Sequence, residues 1–394
     1  MTSQAAYFEG LDSALKSAGI YQPVLLLDVD RLNQNIQTLL SHLPTGMAYR
    51  IVTKSLPVPN LLAHIRKKTG TERLMTFNLP MLLGLAQEMP GAKQLLGKPL
   101  PAKACHDFLK QAPVDAAKNV SWLIDTPERL HAYDNVAKDA GVPVNIVIEL
   151  DVGLHRGGFA PGSELHNAFS QLRENNRLTF QGFMGYEPHL ASVPKALGWR
   201  ARATKRAWGT YQQAIALAHN FFSESHMASI IRNTAGSPTY RLYKNTDIAN
   251  EVSVGSALVK PTGFDTELLK PYVPASFIAT PVLKSVGAMR LPELTMASCA
   301  GRLLSPGSAQ SFFIHGGKWM ADPVHPPGLR YNKIVGRSSN QEMLNGPKCV
   351  NLVPDDFVFL RPQQSEAVFL QFGDLAVIQH GEVIGRWPTF PVST

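Results

Sequence analysis

Two rhythms of apolar and polar positions divide the chain. Between Met47 and Val259 a short apolar or β-branched run is followed each time by a longer segment whose apolar residues recur every three or four positions. Eight such runs stand out, at residues 49–54, 73–78, 94–98, 121–125, 145–151, 180–186, 229–236 and 251–259. Helices are expected between them, for example at 58–68, at 127–140 with Pro127 in the first turn after Asp125 and Thr126 as caps, and over the long stretch 193–222. Eight alternating units predict an α/β fold, a closed parallel (β/α)8 TIM-type barrel.

Outside this block the texture changes. Residues 25–28 (LLLD) read as one extra strand ahead of the barrel, followed by a helix at 31–43. Beyond Thr262 the helical period gives way to alternating runs at 357–360, 367–370 and 375–378, and 376–384 reads as a hairpin turning at His380 and Gly381. The expected domains are a barrel over residues 25–262 and a C-terminal mostly-β domain of residues 1–24 plus 263–394. No fixed-period repeat, low-complexity tract or flexible linker separates them.

Composition narrows the function classes. The chain of 394 residues is 44% hydrophobic and only 17% charged, enough to bury a large core and unlike a disordered segment. No window approaches the roughly 18 consecutive apolar residues of a membrane span, and residues 1–20 lack an apolar segment behind a basic start, so a soluble, unexported protein is expected. Three widely spaced cysteines make neither a disulfide framework nor a metal motif. Cys299 and Cys349 read as buried apolar residues, and a reducing cytoplasm is the expected compartment. The net charge of +8 raises the question of nucleic acid, yet the densest basic stretches, 66–73 and 200–206, lie on helical segments without stacking aromatics. No nucleic-acid partner is expected; the positive balance suits an anionic cofactor or substrate.

In barrels of this kind chemistry sits at the C-terminal ends of the strands. There the sequence offers Lys54 after the first run, Gly153, His155 and Arg156 after the fifth, Tyr186 after the sixth, Asn233 to Ser237 at the seventh, and Gly255 with Ser256 at the eighth. A lysine held neutral can form a Schiff base, and two glycine/hydroxyl clusters can cradle a phosphate through main-chain N–H groups. Together they suggest pyridoxal 5'-phosphate. The alternative reading makes Lys54 a surface amine, Arg156 an ion-pair partner of Glu149 or Asp151, Tyr186 a packing residue and the glycines plain turns.

The strings LLLDVDRLNQNI, YRIVTKS, ELDVGLHRGGF, FQGFMGYEPHL, NTAGSPT and EVSVGSA, in that order, resemble the alanine-racemase-type (fold type III) pyridoxal-phosphate enzymes, particularly the D-threonine aldolase and D-serine dehydratase branch. Residues 353–388 resemble the end of that branch's β domain. The resemblance implies that Lys54 carries the cofactor, that Arg156 faces its phenolic oxygen, and that Tyr186, Thr234, Gly236, Ser237, Gly255 and Ser256 surround its ring and phosphate. It also implies a lyase acting on a small amino acid, of D configuration with a 3-hydroxyl, or a racemase. A homodimer is implied too, in which a second chain's β domain closes the barrel mouth, the apolar alternation around 357–370 offering the surface. A cofactor-binding protein without catalysis is a third reading.

Three departures mark a divergent member. Leu56 stands where the branch has a histidine two residues after the lysine. Gln364 and Glu366 stand where it holds a metal; as oxygen donors they suit Mg²⁺ or Mn²⁺ better than zinc, and no tightly bound metal is expected. Ser253 stands where the family has an arginine, leaving the partner of the pyridine nitrogen open. Glu366 is the candidate acid/base for the substrate's β-hydroxyl. His155, His189, His315 and His325 are read as structural histidines.

Overall fold

Residues 4–288 and 309–392 are described in the computed structural model of this chain. They divide into two compact units: the first is chiefly Ile36–Ala257 with Thr266–Pro271, the second Met1–Asn35, Leu258–Asp265 and Tyr272–Pro391. After β1 (Val24–Asp28), eight strands close a parallel barrel in the first unit: β2 (Ala48–Val52), β3 (Arg73–Thr76), β4 (Lys93–Leu96), β5 (Val120–Ile124), β6 (Val144–Leu150), β7 (Leu178–Gly185), β8 (Ile231–Thr234) and β9 (Glu251–Val254), which returns to β2. All eight expected runs are strands, in the expected order. Among the described residues no helix is long and apolar enough to cross a membrane.

Local chemistry explains the helices between them. The helix Pro127–Ala140 begins where the Thr126 hydroxyl accepts the Arg129 N–H at 3.2 Å and ends at Gly141 with φ of 66°. The single helix expected over 193–222 is broken. Leu197 and Gly198 take φ of 53° and 71°, and the regular helix runs only from Trp199 to Ala218, because Pro194 has no N–H to give a continuing helix and the left-handed residues reverse the chain.

A charged network seals the barrel. Glu251 is fully buried, and its carboxylate receives Arg50 Nε at 2.6 Å, Arg50 Nη2 at 3.0 Å, Arg73 Nη1 at 2.7 Å and Asn233 Nδ2 at 2.7 Å. Arg50 Nη1 also donates to the carbonyls of Leu74 at 2.8 Å and Lys93 at 2.7 Å. The network therefore ties β8, β9, β2, β3 and β4 across the seam where β9 meets β2. Burial alone pushes the Glu251 carboxyl up, but Arg50 and Arg73 outweigh it and hold it below the usual carboxylate range.

Among the described residues of the second unit, nine strands form one mixed sheet. Its hub is β10 (Ser276–Gly287), which pairs with β1, β11 (Gln310–His315) and β15 (Phe357–Pro362). The rest are β12 (Ala321–His325), β13 (Arg330–Tyr331), β14 (Gln341–Gly346), β16 (Asp374–Gln379) and β17 (Glu382–Pro388). The hairpin turns as expected at His380 and Gly381, both with positive φ, as a primed two-residue turn requires. The strand β1, counted with the barrel in the 25–262 reading, is instead hydrogen-bonded into this sheet between β10 and β16, so its LLLD run is buried on both faces.

Two further expectations are corrected. Residues 367–370 are helical, in Ser365–Val368 and the short turn Phe369–Gln371; Ser365, Val368 and Phe369 are buried at helical spacing, which a four-residue apolar run cannot distinguish from a strand. Phe357 and Phe359 do not offer a face to a second chain, because they pack in their own unit's core with Phe8, Leu11, Val24, Leu26 and Phe277. Cys349 is exposed, in the turn after β14, while Cys299 lies outside the described residues.

Glu251→Ala should leave the Arg50 guanidinium buried without its carboxylate, costing about 3–5 kcal/mol. Arg73→Ala, at a side chain 37% exposed, should cost about 1 kcal/mol or less. Denaturant unfolding of both variants checks this; equal midpoints for Glu251→Ala and the wild type would remove the network's structural role.

Candidate active site

Lys54 lies in a single turn of tight helix, Thr53–Ser55, directly after β2. Its neighbours are pinned: buried Thr53 donates to the Met75 carbonyl at 2.8 Å, and buried Ser55 accepts the Ser256 hydroxyl at 2.9 Å. Lys54 itself is exposed, with its amine 4.6 Å from the centre of the Phe77 ring. Leu56 is fully buried. The turn therefore presents a primary amine and turns the next position into the core.

The turns after β8 and β9 meet beside it. A Cβ on Gly255 would fall 2.8 Å from the Val52 carbonyl oxygen and 2.9 Å from Ser55 Cβ, against the residues flanking Thr53 and Lys54. One on Gly236 would fall 2.7 Å from Cε2 of Tyr186. The N–H groups of Gly255 and Ala257 converge on Ser237 Oγ at 3.3 and 3.0 Å, joining the two turns. Arg156 is exposed and sits 5.5 Å over the Tyr186 ring. The structure thus brings Lys54, Arg156, Tyr186, Gly236, Ser237, Gly255 and Ser256 into one connected mouth. Thr234 belongs to its wall instead: it is buried and its hydroxyl donates to Glu187 at 3.0 Å. Two tight glycine turns bearing hydroxyl residues, joined beside a primary amine, fit pyridoxal phosphate.

Titratable groups surround this mouth. Glu149 alternates along β6 with buried Ile148 and Leu150. Burial, then the Asp125 carboxylate, push its carboxyl up to about 7 against the pull of Arg156 and Arg129. For Asp151 burial acts upward, but the His155 ring at 2.8 Å and the N–H groups of Gly153 and His155 hold it below the usual range. Burial, helped by nearby His155, lowers His189, and its Nδ1 has no hydrogen-bond partner among the described residues. Glu187 is fully buried, its Oε2 accepting from Thr234 and, at 3.2 Å, from Ala235 N; burial raises its carboxyl.

In sequence Glu149 reads only as an ion-pair partner, because the run 145–151 places three consecutive apolar residues at 146–148 and does not alternate. Glu187 had no signal at all, since the groups that cover it lie 47 and 48 positions away. Ser253 is buried and bonded to Asn233 Nδ2 at 2.8 Å, within the barrel network. Gln364 and Glu366 lie in the second unit. Gln364 is exposed just before the helix Ser365–Val368, and half-buried Glu366 accepts the Ser365 hydroxyl at 3.2 Å. His315 is exposed on β11, and His325 stacks on Phe8 at 4.8 Å.

The fold has known relatives. D-threonine aldolase from Filomicrobium marinum is similar over 94% of this chain and 95% of its own, with 16% identity and a TM-score of 0.73. D-threo-3-hydroxyaspartate dehydratase from Delftia sp. HT23 is similar over 94% and 98%, with 13% identity and a TM-score of 0.72. An alanine racemase from Clostridium difficile 630 is similar over 92% and 97%, with 14% identity and a TM-score of 0.68. No curated protein matches the sequence. Residues 27–262, which span the barrel and the Lys54 mouth, match the alanine racemase N-terminal domain. The chain therefore belongs to the alanine racemase N-terminal domain family, whose enzymes depend on pyridoxal phosphate.

Proposed function

We propose that this protein is a pyridoxal-phosphate-dependent lyase acting on a small D-configured 3-hydroxy amino acid, as a cytoplasmic homodimer, by Cα–Cβ cleavage or loss of water. The carrying observation is the Lys54 turn: a primary amine projects from a tight turn whose two neighbours are bonded down, one of them to the Gly255–Ser256 turn. When bound, the cofactor supplies an electron sink for charge developing at the substrate's Cα. Lys54 holds it and exchanges protons at Cα. Arg156 over Tyr186 directs positive charge at the ring oxygen, and the turns at Gly236–Ser237 and Gly255–Ser256 hold the phosphate. Glu149, titrating near neutral pH, exchanges protons with groups at the mouth. Glu366 serves the β-hydroxyl, directly or through a weakly held Mg²⁺ or Mn²⁺.

Leu56 favours a second reading. Buried in the core, it cannot act as the base the aldolase and dehydratase branch carries two residues after its lysine. Racemisation needs only proton removal and return on opposite faces at Cα. Product analysis with D- and L-amino acids separates the readings: an aldehyde or a keto acid supports lyase chemistry, an enantiomer racemisation.

Borohydride reduction of the protein with cofactor, followed by peptide mapping, should find the pyridoxyl group on Lys54; a label elsewhere, or none, ends the reading. Glu366→Gln should lower lyase turnover about 10²-fold, a typical general acid–base effect, with cofactor binding unchanged. If the carboxylate anchors a metal, chelation should abolish activity and Mn²⁺ restore it; normal turnover in Glu366→Gln removes the residue from the chemistry.

Glu149 gives a pH test. Its folded carboxyl titrates at about 7, above an unfolded value of about 4.3. Its contribution to stability is therefore fully present below the unfolded value and lost as pH rises through about 7. Thermal melts of the wild type should drop across that window relative to Glu149→Gln. Parallel curves would place the titration elsewhere.

A further inference from the structure

We propose that Glu187 is the positioning residue for the cofactor phosphate: its buried carboxyl locks the 234–237 turn into the shape that receives the anion. The inference rests on reading this mouth as the pyridoxal-phosphate site. Glu187 follows Tyr186 directly and is fully buried. Its Oε2 accepts the Thr234 hydroxyl at 3.0 Å and the Ala235 N–H at 3.2 Å. Thr234 Oγ1 also lies 2.9 Å from the Tyr243 hydroxyl. One oxygen thus fixes both the side chain and the main chain of consecutive residues.

The residue so fixed is unusual. Ala235 has φ of 62°, the left-handed region that residues with a Cβ seldom occupy, and such conformations persist where surrounding bonds over-determine them. Gly236 comes next and rests against the Tyr186 ring, then Ser237, whose Oγ receives the N–H groups of Gly255 and Ala257. A change at Glu187 therefore propagates through Ala235 into the residues that face the phosphate. Both bonds to the turn end on the one oxygen Oε2, so what the turn requires at this position is an acceptor oxygen. Glutamine supplies that oxygen; alanine does not.

The test compares two ligands that differ only in the phosphate. Full-length protein stripped of cofactor is titrated with pyridoxal 5'-phosphate and with pyridoxal by absorbance, for the wild type, Glu187→Gln, Glu187→Ala and Thr234→Val. Glu187→Ala should bind pyridoxal phosphate at least about tenfold more weakly, the loss of one to two buried hydrogen bonds, while pyridoxal affinity changes less than about twofold. Glu187→Gln should stay within about threefold of the wild type for both ligands, and Thr234→Val should lose several-fold for the phosphate form only. If Glu187→Ala does not fold, Thr234→Val carries the test. Equal losses for both ligands, or an unchanged preference in the alanine and valine variants, overturn the positioning role and leave the site reading standing. A wild type that does not prefer pyridoxal phosphate over pyridoxal removes the phosphate seat itself, and this is read before any variant is made.

Discussion

The carboxylate of Glu251 is charged where water does not reach, and the barrel closes around the groups that make this tolerable. Removing an ion from water costs several kcal/mol even after relaxation. A single opposite charge about 4 Å away returns about 4 kcal/mol at the effective dielectric of proteins. One partner leaves the balance near zero. Glu251 has two arginines and an asparagine, and Arg50 gives further N–H groups to the carbonyls of Leu74 and Lys93. With its donors and acceptors met, the ionic group specifies register, because a strand shifted by one residue would turn Arg50 or Glu251 to the other face. The strands so fixed, β8, β9 and β2, are those that lead into the 234–237 turn, the Gly255–Ser256 turn and Lys54. The precision of the mouth is set by the network beneath it.

Above that network the mouth follows one local rule. A projecting functional side chain stands beside neighbours whose own polar groups are bonded inward. Lys54 lies between buried Thr53 and Ser55; Arg156 follows a loop drawn around Asp151, which collects the N–H groups of Gly153 and His155 and the His155 ring. His155 is bent to φ of 56° by those bonds. Fixing the backbone beforehand removes entropy that binding would otherwise have to spend, which is what a preorganised anion and amine site requires.

How much of this the sequence discloses depends on the range of the interactions. Barrel strands and most helices were legible because their periods and caps are local: Thr126, Pro127 and Gly141 mark one helix at both ends. The boundary residues Leu25 to Asp28 misled because an apolar run reads alike in a barrel and in a buried sheet strand, and only pairing with β10 and β16 decides. Residues 367–370 misled for the same reason, a run too short to show its period. In the mouth, Lys54, Arg156, Tyr186 and the glycine turns were visible from their places after strands. The bond between Thr234 and Glu187 has no local signal, because it depends on a carboxyl meeting residues almost fifty positions away.

Three buried or half-buried glutamates on neighbouring barrel elements show how far surroundings decide chemistry. Glu251 has arginines and no competing acid, and its proton affinity falls. Glu149 has Arg156 and Arg129, but also Asp125 and Asp151, so cations and anions offset each other and burial carries it to about 7. Glu187 is raised by burial against the hydrogen bonds it accepts. The same side chain is thereby a fixed charge in the wall, a proton-exchanging group at the mouth and a hydrogen-bond acceptor under a turn. The middle case titrates near neutral pH, and it is also the one that shares the rim with Arg156. The other two act by holding backbone in place, one the strand ends and one the turn that follows them, so that the exchangeable proton and the lysine amine meet a substrate in fixed geometry.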